Sequence, residues 1–415
     1  MNKLPWLGAF AGSFVVILAI VSFFGAGIFA HRGWDSPKPA KEESLWLEKL
    51  TKKDLGNLVK HLDLNLPPAT GNYALAKEGV KYVVETSFDN HLQQYITNFL
   101  RRTKTDRAAV VVLKPDTGQV LAMANYKRDE AAKPENLCLK ADFPAASLFK
   151  IVAAAAAIEA RGFTPNKTLV FRGRKHTLYK SQLKQKKGRY TVETNLKKAF
   201  SGSINPVFGK MGIYDLGKEL MAEYAEKFLF NQPIPFEFPL QESTIYVPED
   251  DFGLAEIASG FNKRTRISPL HAALITAAIA NKGTMMEPWV VERVKDHTGK
   301  ILYSVIPSKL ASPLEEKTAG SLKILMDDTV IYGTGRKAFR PLRRKKKFRN
   351  IELGAKSGTI NDESDRYKYD WFTAYALPDN GDGGICTAIL AIHGKKIGIR
   401  AAEIARYIIN QYFKS

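Results

Sequence analysis

The sequence predicts an α/β protein of the α+β type: one central antiparallel sheet flanked by helices, with an all-helical subdomain set into it. Three observations carry that expectation. β-Rich runs occupy 108–113 and 119–124, further β-rich runs occupy 353–359, 371–377 and 385–392, and helical periodicity dominates 151–280 between them. Strands at both ends of a domain with helices between them are satisfied when the first and last strands are neighbours in one sheet whose faces the helices cover.

Taken in order, residues 4–30 carry no charge and exceed the roughly 20 apolar residues that cross a bilayer as a helix. Lys3 and the α-amino group precede them, so the positive-inside rule puts the N-terminus in the cytoplasm and exports the rest. A cleaved signal peptide is the rival reading, with Gly25, Ala26, Gly27 and Ala30 as small residues for a cleavage site; length favours the anchor. The expected division is therefore 1–30 transmembrane anchor, 31–106 linker and short N-terminal region, and 107–415 catalytic domain. Residues 33–40 form a Pro-containing connector, and 45–66 alternate leucines with charges in a weakly helical pattern that Pro67 and Pro68 end. Residues 80–86 read as a strand, and Ser87 or Asp89 can cap a helix with Leu92, Ile96, Phe99 and Leu100 on its apolar face. Pro115, Asp116, Thr117 and Gly118 are turn residues that make 108–124 a hairpin. Helices are expected at 192–200, 216–228 and 269–280, around a basic insertion at 172–189. An amphipathic helix at 399–412 sets Ile404, Ile408 and Tyr412 on one side.

The chain has 415 residues, 45% hydrophobic and 25% charged, which is enough apolar material for a sizeable core. Its net charge of +20 attracts polyanions. In an exported protein these are anionic lipid head groups and acidic wall polymers, and no nucleic-acid motif or aromatic series accompanies the charge. The densest run, Arg340 to Arg349, reads as a solvated basic loop or as a membrane- or glycan-facing patch. Cys138 and Cys386 lack any metal-ligand spacing, so no zinc site is expected. Cys386 reads as a small buried hydrophobe, and nothing in the sequence pairs it with Cys138. His271 sits in an apolar helical stretch and reads as a packing residue. Gly212 to Lys218 mimics a phosphate loop, but Glu219 replaces the required hydroxyl and no strand precedes it, so it reads as a turn opening a helix. No Gly-x-Ser-x-Gly elbow or His-Glu-x-x-His pair occurs, which removes α/β-hydrolase and zincin readings.

The chemistry lies in three short fragments. Ser147-Leu148-Phe149-Lys150 places a hydroxyl and an amine about one helical turn apart at the start of an Ala-rich run. An unprotonated Lys150 could take the proton of Ser147 and make a nucleophile without histidine. Far downstream stand Ser203-Ile204-Asn205 and Lys356-Ser357-Gly358-Thr359. In that order, Ser-x-x-Lys, Ser-x-Asn and Lys-Ser/Thr-Gly are the signature of penicillin-binding proteins and active-site serine β-lactamases. From 107 onward the chain resembles the D,D-transpeptidase domain of the class B-like penicillin-binding proteins, with similar text at Ser268-Pro269-Leu270-His271, Gly333-Thr334-Gly335 and Asp370-Trp371-Phe372.

That resemblance implies a β-lactamase/transpeptidase-like fold and a set of roles. Ser147 is the nucleophile, at the N-terminus of a helix beginning near Pro144. Lys150 is its base, with its pKa lowered by burial and by Lys356. Ser203 relays a proton, and Asn205 holds a substrate peptide bond. Lys356, Ser357 and Thr359 meet the substrate carboxylate at a strand end, and Gly358 lets backbone approach the ligand. The oxyanion hole is formed by the backbone N–H groups of Ser147 and Thr359. The implied substrates are peptidoglycan stem peptides ending in D-Ala-D-Ala, with β-lactams as inhibitors, no metal or organic cofactor, and a polytopic glycan polymerase as a possible partner. The setting implied is the cytoplasmic membrane, with the catalytic domain on its outer side. Ile204 departs from the polar residue usual at that place, and 31–106 is too short for a full pedestal domain. Two rivals share the cleft: a D,D-carboxypeptidase or β-lactamase in which water resolves the ester, and a non-catalytic sensor or scaffold.

Overall fold

Two β-rich stretches remote in sequence meet in the middle of one sheet. The hairpin of β1 (Arg107–Leu113) and β2 (Val120–Lys127) lies beside the C-terminal meander of β3 (Ile351–Asn361), β4 (Lys368–Pro378) and β5 (Ile385–His393). The strand order is β3-β4-β5-β1-β2, antiparallel throughout, with Ala109 opposite Leu390 at the join. The hairpin turn passes through Gly118 at φ +75°, where a Cβ would stand 2.1 Å from the Glu287 carbonyl oxygen. This computed structural model describes residues 50–414 apart from 66, 69, 70, 78, 104, 129–134 and 187, so the apolar segment 4–30 and the connector 33–40 lie outside the described residues. Among the described residues no helix is long and apolar enough to cross a membrane.

β5 is buried along its whole length and β1 from Ala108 onward, because both faces of the sheet are covered; this is why these strands read as apolar runs rather than alternations. The pleat divides β1 between two cores. Ala108, Val110 and Val112 pack with Leu92, Ile96 and Leu100 of α1 (Asn90–Arg101, capped by Asp89) and with Ile404 and Ile408 at the C-terminal end of the chain. Ala109, Val111 and Leu113 join the opposite core with α2 (Lys150–Arg161).

The helical layer on that second side adds α3 (Leu196–Ser201), α4 (Asn205–Met211), α5 (Asp251–Ser259) and α6 (Pro269–Ala280). α6 is buried on every side, as a helix apolar all round must be. The ring Nε2 of His271 lies 2.6 Å from the Phe228 carbonyl, and burial pushes its pKa down to about 4, so it is the packing residue expected. α7 (Glu316–Ile331) and α8 (Arg336–Arg343) precede β3, and α9 (Ala401–Tyr412) closes the chain. A second sheet pairs Val80–Thr86 with Asn72–Lys77 on one side and Val291–Asp296 on the other, which ties the N-terminal region to residues two hundred positions downstream.

Several local expectations change. The helix expected at 192–200 is only α3, because Thr191–Asn195 forms a strand with Thr168–Arg172. β-Branched Thr191, Val192 and Thr194 favour that strand, and the Asn195 side chain then caps α3 through Lys198 N. The phosphate-loop mimic is not a simple turn: Gly212–Leu216 is a π-helical segment, and Gly217 at φ +68° starts the next helix, Gly217–Lys227. Gly212 lies against α5, where a Cβ would be 2.7 Å from the Leu254 carbonyl. The basic run is not a loop either. It belongs to α8 and a 3₁₀ turn at Lys346–Phe348, anchored by buried Phe339, Leu342 and Phe348. Cys138 and Cys386 are both free and buried.

Candidate active site

The turn that carries Ser147 is clamped between two glycines. Phe143–Pro144 pairs as a short strand with Arg266–Ile267, so the helix does not begin near Pro144. A 3₁₀ turn, Ala146–Phe149, carries Ser147 and leads directly into α2. Ala146 has φ +50°, a left-handed conformation that a residue with a Cβ holds only when its surroundings enforce it. Gly260, at the left-handed end of α5, enforces it from one side: a Cβ there would stand 1.9 Å from the Ala146 carbonyl oxygen. Gly358 closes the other side, where a Cβ would meet Ala146 Cβ and Ser147 N at 3.3 Å.

Lys150 is fully buried at the first position of α2. Its Nζ lies 2.8 Å from Ser147 Oγ and donates to Asn205 Oδ1 at 2.8 Å and, closely, to the Ser259 carbonyl. In the neutral amine the two N–H bonds are taken by Asn205 and Ser259, which leaves the lone pair facing the Ser147 hydroxyl. Burial, and then the charge of Lys356, hold the Lys150 pKa well below 10.5.

Ser203 follows α3 at φ +52°, and its Oγ accepts from Lys356 Nζ at 3.2 Å. Asn205 opens α4; its Nδ2 donates to the His176 carbonyl at 3.1 Å, so both ends of its amide are engaged in this structure. Lys356 is also fully buried and donates to the Ser357 carbonyl at 2.7 Å, and burial brings its pKa down to about 7. It stands in the middle of β3 rather than at a strand end, because β3 continues to Asn361 paired with β4. Ser357 Oγ is 2.6 Å from Thr334 Oγ1. Thr359 Oγ1 lies 3.4 Å from Asp370 Oδ1, and Asp370 is held by Arg400 at 2.9 Å and by Ala401 N at 3.0 Å. Trp371 is buried, and its indole donates to the Pro144 carbonyl at 2.8 Å, joining β4 to the approach of the nucleophile turn.

Ser147, Ser203, Asn205, Ser357, Gly358 and Thr359 line one open cavity of about 620 Å³, with Lys150 and Lys356 buried behind it. All three sequence fragments therefore converge. Several lining residues were not anticipated as part of the site, among them His176, Phe261, Thr334, Lys337, Arg400 and Glu403. Thr334 lay within a quoted fragment, Gly333-Thr334-Gly335, whereas His176 sits in the basic insertion and no local pattern marks it.

Such a convergence can be compared with known proteins. Residues 108–410 match the family model described as the penicillin binding protein transpeptidase domain. The chain belongs to that family. It is 24% identical over 314 residues to stage V sporulation protein D of Bacillus subtilis, covering 72% of this chain and 47% of the relative. It is 25% identical over 320 residues to the peptidoglycan D,D-transpeptidase PbpA of Mycolicibacterium smegmatis, covering 69% and 62%. The chain thus spans about half the length of the first relative and less than two thirds of the second. Among solved structures, the D,D-transpeptidase domain of a peptidoglycan glycosyltransferase from Eggerthella lenta gives a TM-score of 0.65 at 24% identity, over 80% of this chain and 82% of that one. Penicillin-binding protein A from M. tuberculosis, as its imipenem acyl-enzyme complex, gives 0.65 at 23% identity, over 80% and 79%. These likenesses establish the fold. Within this transpeptidase-family domain the unusual Ile204 is 2% exposed and packs into the core, so the middle of the second motif turns away from the cavity.

Proposed function

We propose that the chain is a membrane-anchored peptidoglycan D,D-transpeptidase working by serine acyl-enzyme chemistry on stem peptides that end in D-Ala-D-Ala. The observation that supports this most directly is the Lys150 amine, buried, depressed in pKa and 2.8 Å from Ser147 Oγ. Lys150 takes the Ser147 proton as Oγ attacks the carbonyl carbon of the penultimate D-Ala. The backbone N–H groups of Ser147 and Thr359 face the oxyanion. Collapse of the tetrahedral intermediate breaks the peptide bond, and the departing D-Ala amine receives a proton through Ser203. An amine of a second stem peptide then attacks the ester, loses its proton to Lys150 and releases Ser147. Lys356, Ser357 and Thr359 bind the substrate carboxylate, and a β-lactam acylates the same serine. Residues 4–30 are the anchor that places this domain outside the cytoplasmic membrane, beside a polytopic glycan polymerase.

Cross-linking is favoured over hydrolysis by the surroundings of the ester. Among the described residues no carboxylate hydrogen-bonds Ser147, Lys150 or Ser203; of the two acidic residues that line the cavity, Asp370 is occupied by Arg400 and Ala401 N, and Glu403 belongs to the first turn of α9. A fluorescent penicillin should label the full chain and not Ser147→Ala. Incubation with a stem-peptide donor and an amine acceptor should give a new amide as the main product. An unlabelled wild-type band would sink the acyl-enzyme reading, and rapid release of penicilloate or of trimmed peptide alone would turn it into a hydrolase.

A further inference from the structure

Beside the catalytic cavity runs a second, strongly basic depression. Arg336, Lys337, Arg340 and Arg344 project with Tyr332 and Pro341 into an open groove of about 800 Å³. Three of these, Arg336, Arg340 and Arg344, follow at i, i+4 and i+8, so like charges stack along one side of α8 and its end, an arrangement that destabilises a helix. Among the described residues none of the four cations makes an ion pair that would offset the repulsion. The other side of α8 is fixed: Phe339 packs on Phe372 with ring centroids 5.3 Å apart, and Phe372 is the register partner of Ser357. The groove also opens into the cavity. Thr334 and Lys337 line both, and Thr334 Oγ1 touches Ser357 Oγ.

We propose that this groove holds an acidic peptide strand whose reacting end lies at Ser147. The proposal rests on reading the cavity as a peptide acyl-transfer site, and it adds the class of substrate preferred: one carrying carboxylates away from the scissile bond. Four residues of α-helix rise about 6 Å. Alternate side chains of an extended peptide are about 6.6 Å apart. Carboxylates on alternate residues of a bound strand therefore meet Arg336, Arg340 and Arg344 in turn, each in the forked geometry a guanidinium offers. A bilayer surface fits less well, because the groove is open to the cavity through Lys337 and Thr334, which line both.

Anisotropy of a fluorescent peptide ending in D-Ala-D-Ala, with Glu at three alternate upstream positions, tests this on the full chain against the same peptide with Gln. The Glu peptide should bind about tenfold more tightly at low salt, the sum expected of several exposed ion pairs. That preference should shrink at 0.5 M salt. The triple variant Arg336→Gln, Arg340→Gln, Arg344→Gln should bind both peptides alike, whereas the triple Arg→Lys variant should keep part of the preference. Removing mutual repulsion should leave the melting temperature of the Gln variant no lower than that of the wild type, which separates loss of binding from loss of fold. Equal binding of both peptides by wild type, or a preference that persists in the Gln variant, would overturn the proposal. So would retention of vesicles containing one-third phosphatidylglycerol through these arginines in place of the peptide. Penicillin labelling of the unaltered chain reports separately on acyl transfer: its failure would remove that reading, while the anisotropy would still decide what the groove binds.

Discussion

As the proposed base, Lys150 would carry two opposed requirements, to stay neutral and yet be held without freedom to turn. Burial and the nearby Lys356 charge meet the first, and the acceptors Asn205 Oδ1 and Ser259 O meet the second. Lys150→Met should therefore lower the rate of acylation by fluorescent penicillin by two to four orders of magnitude, the usual span for loss of a general base. The fold should survive, because Met fills a similar volume without a buried amine. The pH dependence of wild-type acylation follows in sign. Lowering the pH through the depressed pKa of Lys150 protonates the base, so the rate must fall on the acid side, well below the pH at which an ordinary lysine would titrate. Lys356, at about 7, would work in the opposite direction in its proposed role, because the charge that would attract a substrate carboxylate fades as the pH rises. Plots of kcat/KM for a carboxylate-bearing substrate should be bell-shaped, and Lys356→Met should flatten the alkaline limb. An acylation rate that shows no fall on the acid side at any pH where the protein stays folded would contradict the assignment of Lys150 as base.

At the scale of elements, the geometry of the candidate site depends on which backbones can approach the turn that carries Ser147. Gly260 and Gly162 both end helices in the left-handed conformation, with the same φ of +65°, but they differ in surroundings. Nothing stands within 4 Å of a Cβ at Gly162, whereas one at Gly260 would overlap the Ala146 carbonyl. Gly162→Ala should cost about 1–2 kcal/mol by conformation alone and leave acylation intact. Gly260→Ala should cost more than that and also abolish labelling, because the turn carrying Ser147 must move; urea titration and penicillin labelling of the two variants make the comparison. This contrast also shows where the sequence was readable. The strands of the central sheet, α6 and the capped α1 were legible because their signals are local: apolar runs, turn residues and an Asp at the cap. The convergence of Ser147, Ser203 and Lys356 was legible through motif order. The strand at Thr191–Asn195, the π-helical segment at Gly212–Leu216 and the helical form of the basic run were not. Each is decided by a tertiary partner, respectively the pairing with Thr168–Arg172, the close approach of Gly212 to α5, and the burial of Phe339 and Leu342. His176 reaches the cavity only because its loop folds over Asn205, and no local pattern encodes that.

The whole molecule keeps several ionisable groups in its interior, and their combined titration makes its stability depend on pH in a definite way. Burial raises Glu237 from 4.5 to about 7, although it accepts from Val290 N and Val291 N. Over that interval the folded state binds the extra proton, so this group's contribution is present below 4.5 and is lost as the pH rises to about 7. His271 is lowered from 6.5 to about 4, so there the unfolded state binds the extra proton and stability is gained over nearly the same interval. The two contributions oppose each other and leave a shallow profile between about pH 4.5 and 6.5. Lys356, lowered from 10.5 to about 7, and Lys150, lowered for the same reason, have no such counterweight among these groups. Above pH 7 the unfolded state binds the extra proton at Lys356, so this group's contribution to stability grows between about pH 7 and 9, before the raised Cys138 and Cys386 thiols begin to oppose it. Unfolding free energies from urea titration at pH 7 and 9 should thus differ, with the second larger. His271→Gln should uncover the Glu237 limb as a fall between pH 4.5 and 7. Lys356→Met should raise stability at pH 7, because no buried amine then has to be kept from its proton, and should weaken the rise above it. The same variant is expected to lose its hold on the substrate carboxylate, so a more stable but poorly active protein is the outcome that ties the buried lysine to function rather than to folding. A Lys356→Met protein less stable than wild type at pH 7 would show instead that the lysine is a net structural asset.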